Sequence, residues 1–388
     1  MFIKDKNVYF IENNSNESIL SICINVGSNQ DLKNKSGLAH LSEHCLLYLR
    51  HDKNNVYSKN KFRFRGYTNF DHMVLKLYFP SELNKFSLCN TYVKSIFDFT
   101  LLNDLDFDIA KEEVISECIC LSDHWQEQES IIQFLTRDSN KKLPVGVIEQ
   151  VKKITRQEVV DFIQEYFIPS NIVSIFETSL SIEKISTMIP DIFCENRKEF
   201  SDKYIKKNSL NNENGDLFLL NLNSEMSRKF EIYFSKISTI NLVEELIAES
   251  ILASYVQEFF QMNGSDSNIN ITEKFIDINS CFIKLCVSDV RSDIKISGDM
   301  IKIGIRNLRK RNIKIDEIEQ TKKSMIEWIN RSVHSKEIFQ YVFSLIYYGI
   351  PIILDDPDLP QKIMQANVED IFVLYEKIME SDCWIIIR

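Results

Sequence analysis

The stretch ITRQEVVDFIQEYFIPSNIVSIF, residues 154–176, has a counterpart in ANVEDIFVLYEKIMESDCWIIIR, residues 366–388. A helix-capping residue stands near the start of each stretch, Thr155 in the first and Asn367 in the second, and these two residues lie 212 positions apart. An amphipathic helix and then an apolar strand follow the cap in both stretches. Because cap, helix and strand recur in the same order, the sequence predicts two copies of one structural unit.

The two halves also agree upstream of these stretches. Each half opens with strand-like runs, at 20–28 in the first and at 229–238 in the second, and a helix follows. Each half then has a hairpin-like stretch, at 66–80 and at 268–288, before further helices. This order of elements predicts an α+β fold with two homologous domains, each a mainly antiparallel sheet with helices packed on one face.

A polar segment rich in asparagine, KKNSLNNENGD at 206–216, separates the two copies. Such a composition is typical of a linker, because it offers little apolar surface for a core. We therefore predict a first domain at 1–203, a second domain at 216–388 and a linker at about 204–215.

Composition argues against several classes of protein. The 388 residues carry a net charge of −10, whereas nucleic-acid affinity comes largely from clustered Lys and Arg. The N-terminal residues lack the apolar core of a signal peptide, and no window is long and apolar enough to span a membrane. Nine cysteines without a CxxC pair favour reduced thiols. We expect a cytoplasmic protein that binds neither nucleic acid nor membrane.

The segment GLAHLSEH, residues 37–44, carries two of the six histidines. On a helix, His40 and His44 project from one face and can occupy two adjacent corners of a tetrahedral zinc site. Glu43 lies beside that face, where its carboxylate can reach a water molecule at the metal without binding the metal. The matching helix of the second half, NLVEELIAESILASYVQEFF, contains no histidine. The sequence therefore assigns any such chemistry to the first half.

A zinc site of this kind needs a third protein ligand. The segment IAKEEVISECICLSDHW, residues 109–125, is predicted to be a long helix that offers Glu112, Glu113 and Glu117. Glu113 and Glu117 share a face, so Glu117 can bind the metal while Glu113 orients a histidine or the backbone. The alternatives are a solvated acidic helix face and a chance spacing of the two histidines.

Together these motifs resemble those of the pitrilysin/insulinase metallopeptidases, the inverzincins. The likeness runs through VGSNQDLKNKSGLAHLSEHCLLY, GYTNFDHMVLKLYFPSELNKF, KEEVISE and the closing block of the first half, and the duplication is itself a trait of that family. The resemblance implies Zn²⁺ on His40, His44 and Glu117, with Glu43 as the catalytic base. The spacing from His44 to Glu117 is a few residues shorter than usual for the family, which keeps Glu113 open as the alternative ligand.

The same resemblance implies that a peptide substrate adds as a strand to the edge of the first sheet. Asn69 matches a substrate-binding Asn of the family, but Phe70 stands where the family has a small residue. Both residues are candidates for substrate binding.

Active members of the family carry an Arg and a Tyr, seven residues apart, in a carboxyl-terminal domain. The matching stretch here, FFQMNGSDSNINI at 259–271, has neither. We therefore expect a zinc metalloendopeptidase subunit that works with a homologous partner, as a heterodimer with a homodimer as the alternative, on leader or precursor peptides. The other reading is a non-catalytic peptide-binding or structural subunit of the same fold.

Overall fold

The computed structural model of the protein describes residues 2–5, 8–49, 56–98, 101–120, 122–168, 171–181, 215–222, 229–235, 242–264, 268–277, 280–288, 296–332 and 358–388. The chain divides into two compact units, which consist of Met1–Gln133 with Ser139–Phe200 and of Phe134–Asp138 with Ser201–Arg388. All but one residue of the predicted linker at 204–215 lies outside the described residues, so the predicted domain boundaries stay predictions.

The first unit contains a sheet and a set of helices. Its strands are β1 Phe2–Asp5, β2 Val8–Glu12, β3 Glu17–Ile24, β4 Arg63–Thr68, β5 Met73–Pro80 and β6 Ile172–Thr178. Its helices are α1 Leu38–Tyr48, α2 Val56–Lys59, α3 Phe86–Ser95, α4 Asp104–Cys120, α5 Ser122–Thr136, α6 Ile148–Val151 and α7 Arg156–Tyr166, and the last three residues of α5 belong to the second unit. Short 3-10 turns at Ser28–Gln30 and Leu83–Lys85 complete it.

The strands of the first sheet are ordered β1-β2-β6-β3-β5-β4. The pairing of β2 with β6 is parallel, and the other neighbours are antiparallel. Strand β3 is central, with Ile22 opposite Leu75 of β5 and Ser174 of β6. Strand β4 pairs with β5 and forms one edge of the sheet.

The second unit repeats this plan. Its strands are β7 Leu217–Asn221, β8 Phe230–Ser235, β9 Asn268–Asp277, β10 Ser280–Ser288 and β11 Cys383–Ile387. Its helices are α8 Leu242–Met262, α9 Gly298–Leu308, α10 Ile315–Ser332, α11 Leu359–Gln365 and α12 Val368–Glu380. The strand order β7-β11-β8-β10-β9, with the β7–β11 pair parallel, matches the order β2-β6-β3-β5-β4 of the first sheet. The predicted fold class is confirmed.

Both predicted caps are confirmed at the level of hydrogen bonds. The Glu158 backbone N–H donates to the Thr155 side chain at 3.3 Å, and the Thr155 backbone N–H donates back to the Glu158 carboxylate at 2.7 Å. In the second unit, the backbone N–H of Glu369 donates to the Asn367 side chain at 2.8 Å. These bonds satisfy N–H groups that the first turn of a helix leaves without an intrahelical acceptor, and so set the starts of α7 and α12.

Helices cover one face of each sheet and bury its apolar residues. In the first unit, the core joins Leu38, Leu41 and Leu46 of α1 to strand residues such as Phe10, Ile22, Leu75, Leu77 and Phe79. Strand residues on the opposite face, including Cys23, Val74 and Ile175, are buried as well. The central strands are therefore nearly continuous apolar runs, as expected for strands buried on both faces.

No helix in the described part of the chain has the length and apolarity needed to cross a membrane.

Glu231 of β8 is a buried charge that stabilises the second unit. Its carboxylate lies 3.0 Å from the Lys284 Nζ and accepts a hydrogen bond from the Tyr233 hydroxyl at 2.7 Å. Burial alone raises the pKa of Glu231, but the hydrogen bonds from Tyr233 and Lys284, with the charges of Lys284 and Arg388, lower it to about 2. Folding therefore favours the ionised form of this carboxyl.

We expect Glu231→Gln to lower the free energy of unfolding by about 3 kcal/mol at neutral pH, because it leaves Lys284 without its buried partner. Since the folded-state pKa lies below the ordinary 4.5, this contribution is present above about pH 4.5 and is lost as the pH falls toward 2. Urea unfolding between pH 7 and pH 2.5 measures it. Glu149→Gln, at an exposed pair with Lys152, is the control with little effect. A constant deficit across this range would contradict the linkage.

Candidate metal centre

Helix α1 begins at a buried carboxylate. The Asp31 side chain accepts hydrogen bonds from the backbone N–H groups of Gly37, at 2.7 Å, and Ala39, at 2.8 Å. Desolvation by burial raises the pKa of Asp31 to about 7, and the two backbone hydrogen bonds oppose that rise. The carboxylate satisfies two N–H groups at the helix start and thereby fixes the beginning of α1.

Two glycines bring a second segment against this helix start. Gly37 and Gly146 both have left-handed backbone conformations, with φ of 98° and 93°, which glycine adopts readily. A Cβ atom on Gly146 would lie 2.6 Å from the Cα of Gly37, so no side chain fits there. The contact sets the neighbouring Val145 carbonyl 3.3 Å from the Nδ1 of His40.

A carboxylate holds the second histidine. Nδ1 of His44 lies 3.1 Å from an oxygen of Glu113, and the Tyr48 hydroxyl donates to the other Glu113 oxygen at 2.5 Å. Tyr48 follows His44 by four residues, so both side chains lie on the same side of α1. With Nδ1 of each histidine at a fixed acceptor, Nε2 of each ring is left as the ligating nitrogen.

Both Nε2 atoms face Glu117. Nε2 of His40 lies 3.4 Å from one Glu117 oxygen, and Nε2 of His44 lies 3.6 Å from the other. Among the described residues, His40, His44 and Glu117 form a group whose ligand atoms lie within 4.8 Å of one another. Two ligands at about 2.0–2.1 Å from a tetrahedral zinc ion are about 3.4 Å apart. The donor set, two imidazoles and a carboxylate, therefore fits zinc in both chemistry and spacing.

Glu43 lies beside this group, on the side of strand β4. Its side chain is only 3% exposed, and Thr68 donates to its Oε2 at 3.0 Å. A Cβ atom on Gly66 would lie 2.2 Å from Oε1, so the carboxylate occupies space that only a glycine leaves free. Burial raises the pKa of Glu43, while the charges of His40 and His44 and the Thr68 hydrogen bond oppose the rise. A raised pKa suits a carboxylate that takes up and returns a proton.

The α4 side of the group is open. Glu117 keeps 48% of its side-chain area exposed. It lines a surface groove of about 750 Å³ with Asp108, Ile109, Glu112, Glu113 and Ser116. The Glu117 carboxylate is therefore accessible to solvent from this side.

The predicted substrate-binding residues lie in the turn between β4 and β5. The Asn69 side chain accepts a hydrogen bond from the Phe70 backbone N–H at 2.9 Å, and the Asn69 carbonyl accepts from Ser28 N–H at 3.0 Å. Phe70 is buried, with the Lys141 Nζ 4.9 Å from its ring centre. These contacts order the turn, and neither residue belongs to the donor group. Their role in substrate binding stays a prediction.

The structure places five of the predicted residues at or beside one candidate metal site. It brings His40, His44 and Glu117 together as donors, Glu43 beside them, and Glu113 onto His44. Sequence reasoning missed the contributions of Tyr48, Gly66, Thr68 and Val145. The spacing of Tyr48 from His44 was a usable signal, whereas the contacts of Gly66 and Val145 depend on strand register and loop packing.

Comparison with known proteins agrees with this geometry. Residues 7–148 match the family model described as insulinase, peptidase family M16. No curated protein matches the chain significantly.

Several solved structures share the fold over the whole chain. The first half of the periplasmic protease PqqL from Escherichia coli aligns with a TM-score of 0.76 at 14% identity, covering 100% of this chain and 91% of that one. This chain spans only 47% of the whole PqqL chain. A protease from Helicobacter pylori aligns with a TM-score of 0.65 at 14% identity, covering 100% of this chain and 98% of that one. A peptidase M16 inactive domain from Pseudomonas fluorescens aligns with a TM-score of 0.67 at 12% identity, covering 98% of this chain and 94% of that one.

The family model therefore supports the resemblance to the pitrilysin/insulinase peptidases over residues 7–148, and the solved structures show that the fold of the chain is shared with such peptidases. The matched residues contain α1 and α4, and so include the complete donor group.

We expect Tyr48→Phe to weaken Zn²⁺ binding by about tenfold, because Glu113 would lose the hydroxyl that fixes its position on His44. Competition with a chelator of known affinity measures the change. Tyr166→Phe, in α7 against Phe162, is the matched control with unchanged affinity. Unchanged affinity in Tyr48→Phe, together with a loss in Glu113→Gln, would show that Glu113 orients His44 without Tyr48.

Proposed function

We propose that this protein is a zinc metalloendopeptidase subunit that hydrolyses peptides or unfolded segments. The observation that carries the proposal is the joint placement of three zinc-type donors within 4.8 Å of one another and of a buried carboxylate, Glu43, that contacts the edge strand β4. Peptide hydrolysis by a zinc enzyme needs metal ligands and a base close together. Two histidines that only pack in a core would need neither Glu117 nor Glu43 beside them.

His40, His44 and Glu117 would hold the ion. A zinc ion bound there supplies Lewis acidity, which polarises a peptide carbonyl and lowers the pKa of water toward about 7. Glu43 accepts the proton of the attacking water at Oε1, since Thr68 occupies Oε2. It then passes that proton to the nitrogen of the leaving amine. The base thus ends the cycle as it began, ionised and free to act again.

Strand β4 offers a place for the substrate backbone. Among the described strands it pairs with β5 alone, so its outer row of backbone N–H and C=O groups faces away from the sheet. Gly66 of this strand lies against Oε1 of Glu43, and Thr68 donates to its Oε2. A peptide that adds to this edge brings its backbone carbonyls beside the base, largely independently of its side chains.

A homologous partner subunit would complete the active site. The stretch 259–271 offers neither the Arg nor the Tyr that active family members place there. Removing a donor that stabilises the transition state typically costs a factor of roughly 10² to 10³ in rate. We propose a heterodimer in which the partner supplies this pair and the two chains enclose the substrate, with leader or precursor peptides as the substrate class. A cytoplasmic location remains part of this proposal.

We expect Glu43→Gln to lower the rate of peptide hydrolysis at least about a thousandfold while Zn²⁺ still binds, because the ligands are intact and the base is lost. Metal analysis and cleavage of a quenched fluorescent peptide mixture measure the two effects. His44→Ala serves as the comparison that loses both metal and activity. If the isolated protein holds no zinc and Glu43→Gln changes nothing, the non-catalytic peptide-binding reading takes its place.

We expect the chain alone to hydrolyse peptides slowly and to gain at least about a hundredfold in rate when mixed with a homologous subunit that carries the Arg–Tyr pair. Rates with and without that subunit, together with the mass of the complex, measure this. The gain should disappear when this chain carries Glu43→Gln. Full activity of the chain as a homodimer would contradict the heterodimer proposal.

A further inference from the structure

Strand β4 presents different side chains to its two faces. Gly66 and Thr68 point to the helix-covered face, where they contact Glu43. Arg63, Arg65 and Tyr67 alternate with them and therefore lie on the opposite face, where all three are exposed. A peptide strand added to this edge would meet Glu43 on one face and the two arginines on the other.

The two arginines differ in their partners. Arg63 forms an ion pair with Glu17 of β3 at 2.5 Å and lies 5.1 Å from the ring centre of Tyr78. Arg65 lies 5.9 Å from the same ring, and within the described part of the chain no carboxylate pairs with it. The Tyr78 ring therefore makes a cation–π contact with the Arg65 guanidinium. This contact leaves the N–H donors of Arg65 available for a carboxylate.

We propose that Arg65 recognises an acidic side chain, Asp or Glu, of the peptide substrate close to the bond that is cut. The inference rests on the proposed function, since it takes β4 as the edge to which the substrate adds. It goes further by naming a residue that determines specificity and the chemistry that it selects.

Strand geometry fixes where the acidic residue lies. Directly opposite residues of neighbouring strands have Cβ atoms about 4.5–5.5 Å apart, and their side chains share one face. The peptide residue opposite Arg65 therefore extends beside the guanidinium. Gly66 and Thr68, which flank Glu43, follow Arg65 by one and three residues. Because a strand rises about 3.3 Å per residue, the acidic residue lies within about two positions of the bond beside Glu43, for either direction of the peptide.

Charge also favours this assignment. The planar guanidinium matches a carboxylate through two parallel hydrogen bonds. The α4 groove on the other side of the donor group is lined by Asp108, Glu112, Glu113 and Glu117, and the chain carries a net charge of −10. The carboxylates of this groove repel an acidic peptide residue, so Arg65 favours the register in which that residue lies on the face of β4 away from α4.

The test uses the Glu43→Gln protein loaded with Zn²⁺, because loss of the base should leave bound peptides uncut. Fluorescently labelled ten-residue peptides of alternating Ser and Val carry a single Glu, Gln or Lys at each position in turn, and anisotropy gives the affinity. We expect Glu to bind about fivefold more tightly than Gln at one position. Arg65→Gln should abolish this preference, and Arg65→Glu should reverse it in favour of Lys. High salt should reduce it.

Arg63→Gln is the matched control, because Arg63 lies on the same strand and face but already holds Glu17. It should leave the preference for Glu intact. A uniform affinity for Glu, Gln and Lys in the Arg65-containing protein overturns the inference, as does an equal loss of preference in Arg63→Gln. Cleavage by the protein with Glu43 restored is scored separately. A charge preference in binding without cleavage supports recognition by Arg65 and counts against the proposed hydrolysis. Cleavage without a charge preference supports hydrolysis and counts against recognition by Arg65.

Discussion

A backbone contact between Gly37 and Gly146 governs the geometry of the donor group. It joins the start of α1 to a segment far along the chain, and it works only because neither residue has a side chain. The Val145 carbonyl, next to Gly146, thereby reaches His40, and Cys118 of α4 donates its thiol to the same oxygen at 3.3 Å. One carbonyl thus connects α1, α4 and the loop before α6. The position of His40 relative to Glu117 therefore depends on the close approach of the backbone at Gly37 to the backbone at Gly146.

The two histidines are oriented by acceptors of different kinds. His40 faces a neutral carbonyl, whereas His44 faces a carboxylate that a tyrosine hydroxyl holds in place. Each acceptor fixes the orientation of its ring and leaves Nε2 directed at Glu117. Burial of His40 and Glu43 excludes water from the α1 side, while the half-exposed Glu117 faces the groove. The site is therefore enclosed on the α1 side and open to solvent at Glu117.

Local sequence signals were sufficient for the parts of this structure that depend on neighbours along the chain. Thr155 and Asn367 cap their helices as their types and positions indicate, and His40 and His44 share a face because α1 is helical. Glu117 could not be identified from the sequence alone, because Glu113 lies four residues away on the same helix face. The packing of α4 against α1 distinguishes the two, since it places Glu117 at both Nε2 atoms and Glu113 at Nδ1 of His44. The contacts of Glu43 with Gly66 and Thr68 could not be predicted from the sequence, because they depend on the register in which β4 pairs with β5. A shift of one residue would have faced Arg65 toward the base.

Gly66 leaves room for the Glu43 carboxylate because it has no side chain. The base rests in a space that one added methyl group would fill, while the three donors lie elsewhere and would keep their positions. In the proposed peptidase, Gly66→Ala would therefore separate metal binding from hydrolysis. On the proposed mechanism, a chain of this fold can lose hydrolysis while its histidine motif stays intact, so the edge-strand residue beside Glu43 has to be considered together with that motif.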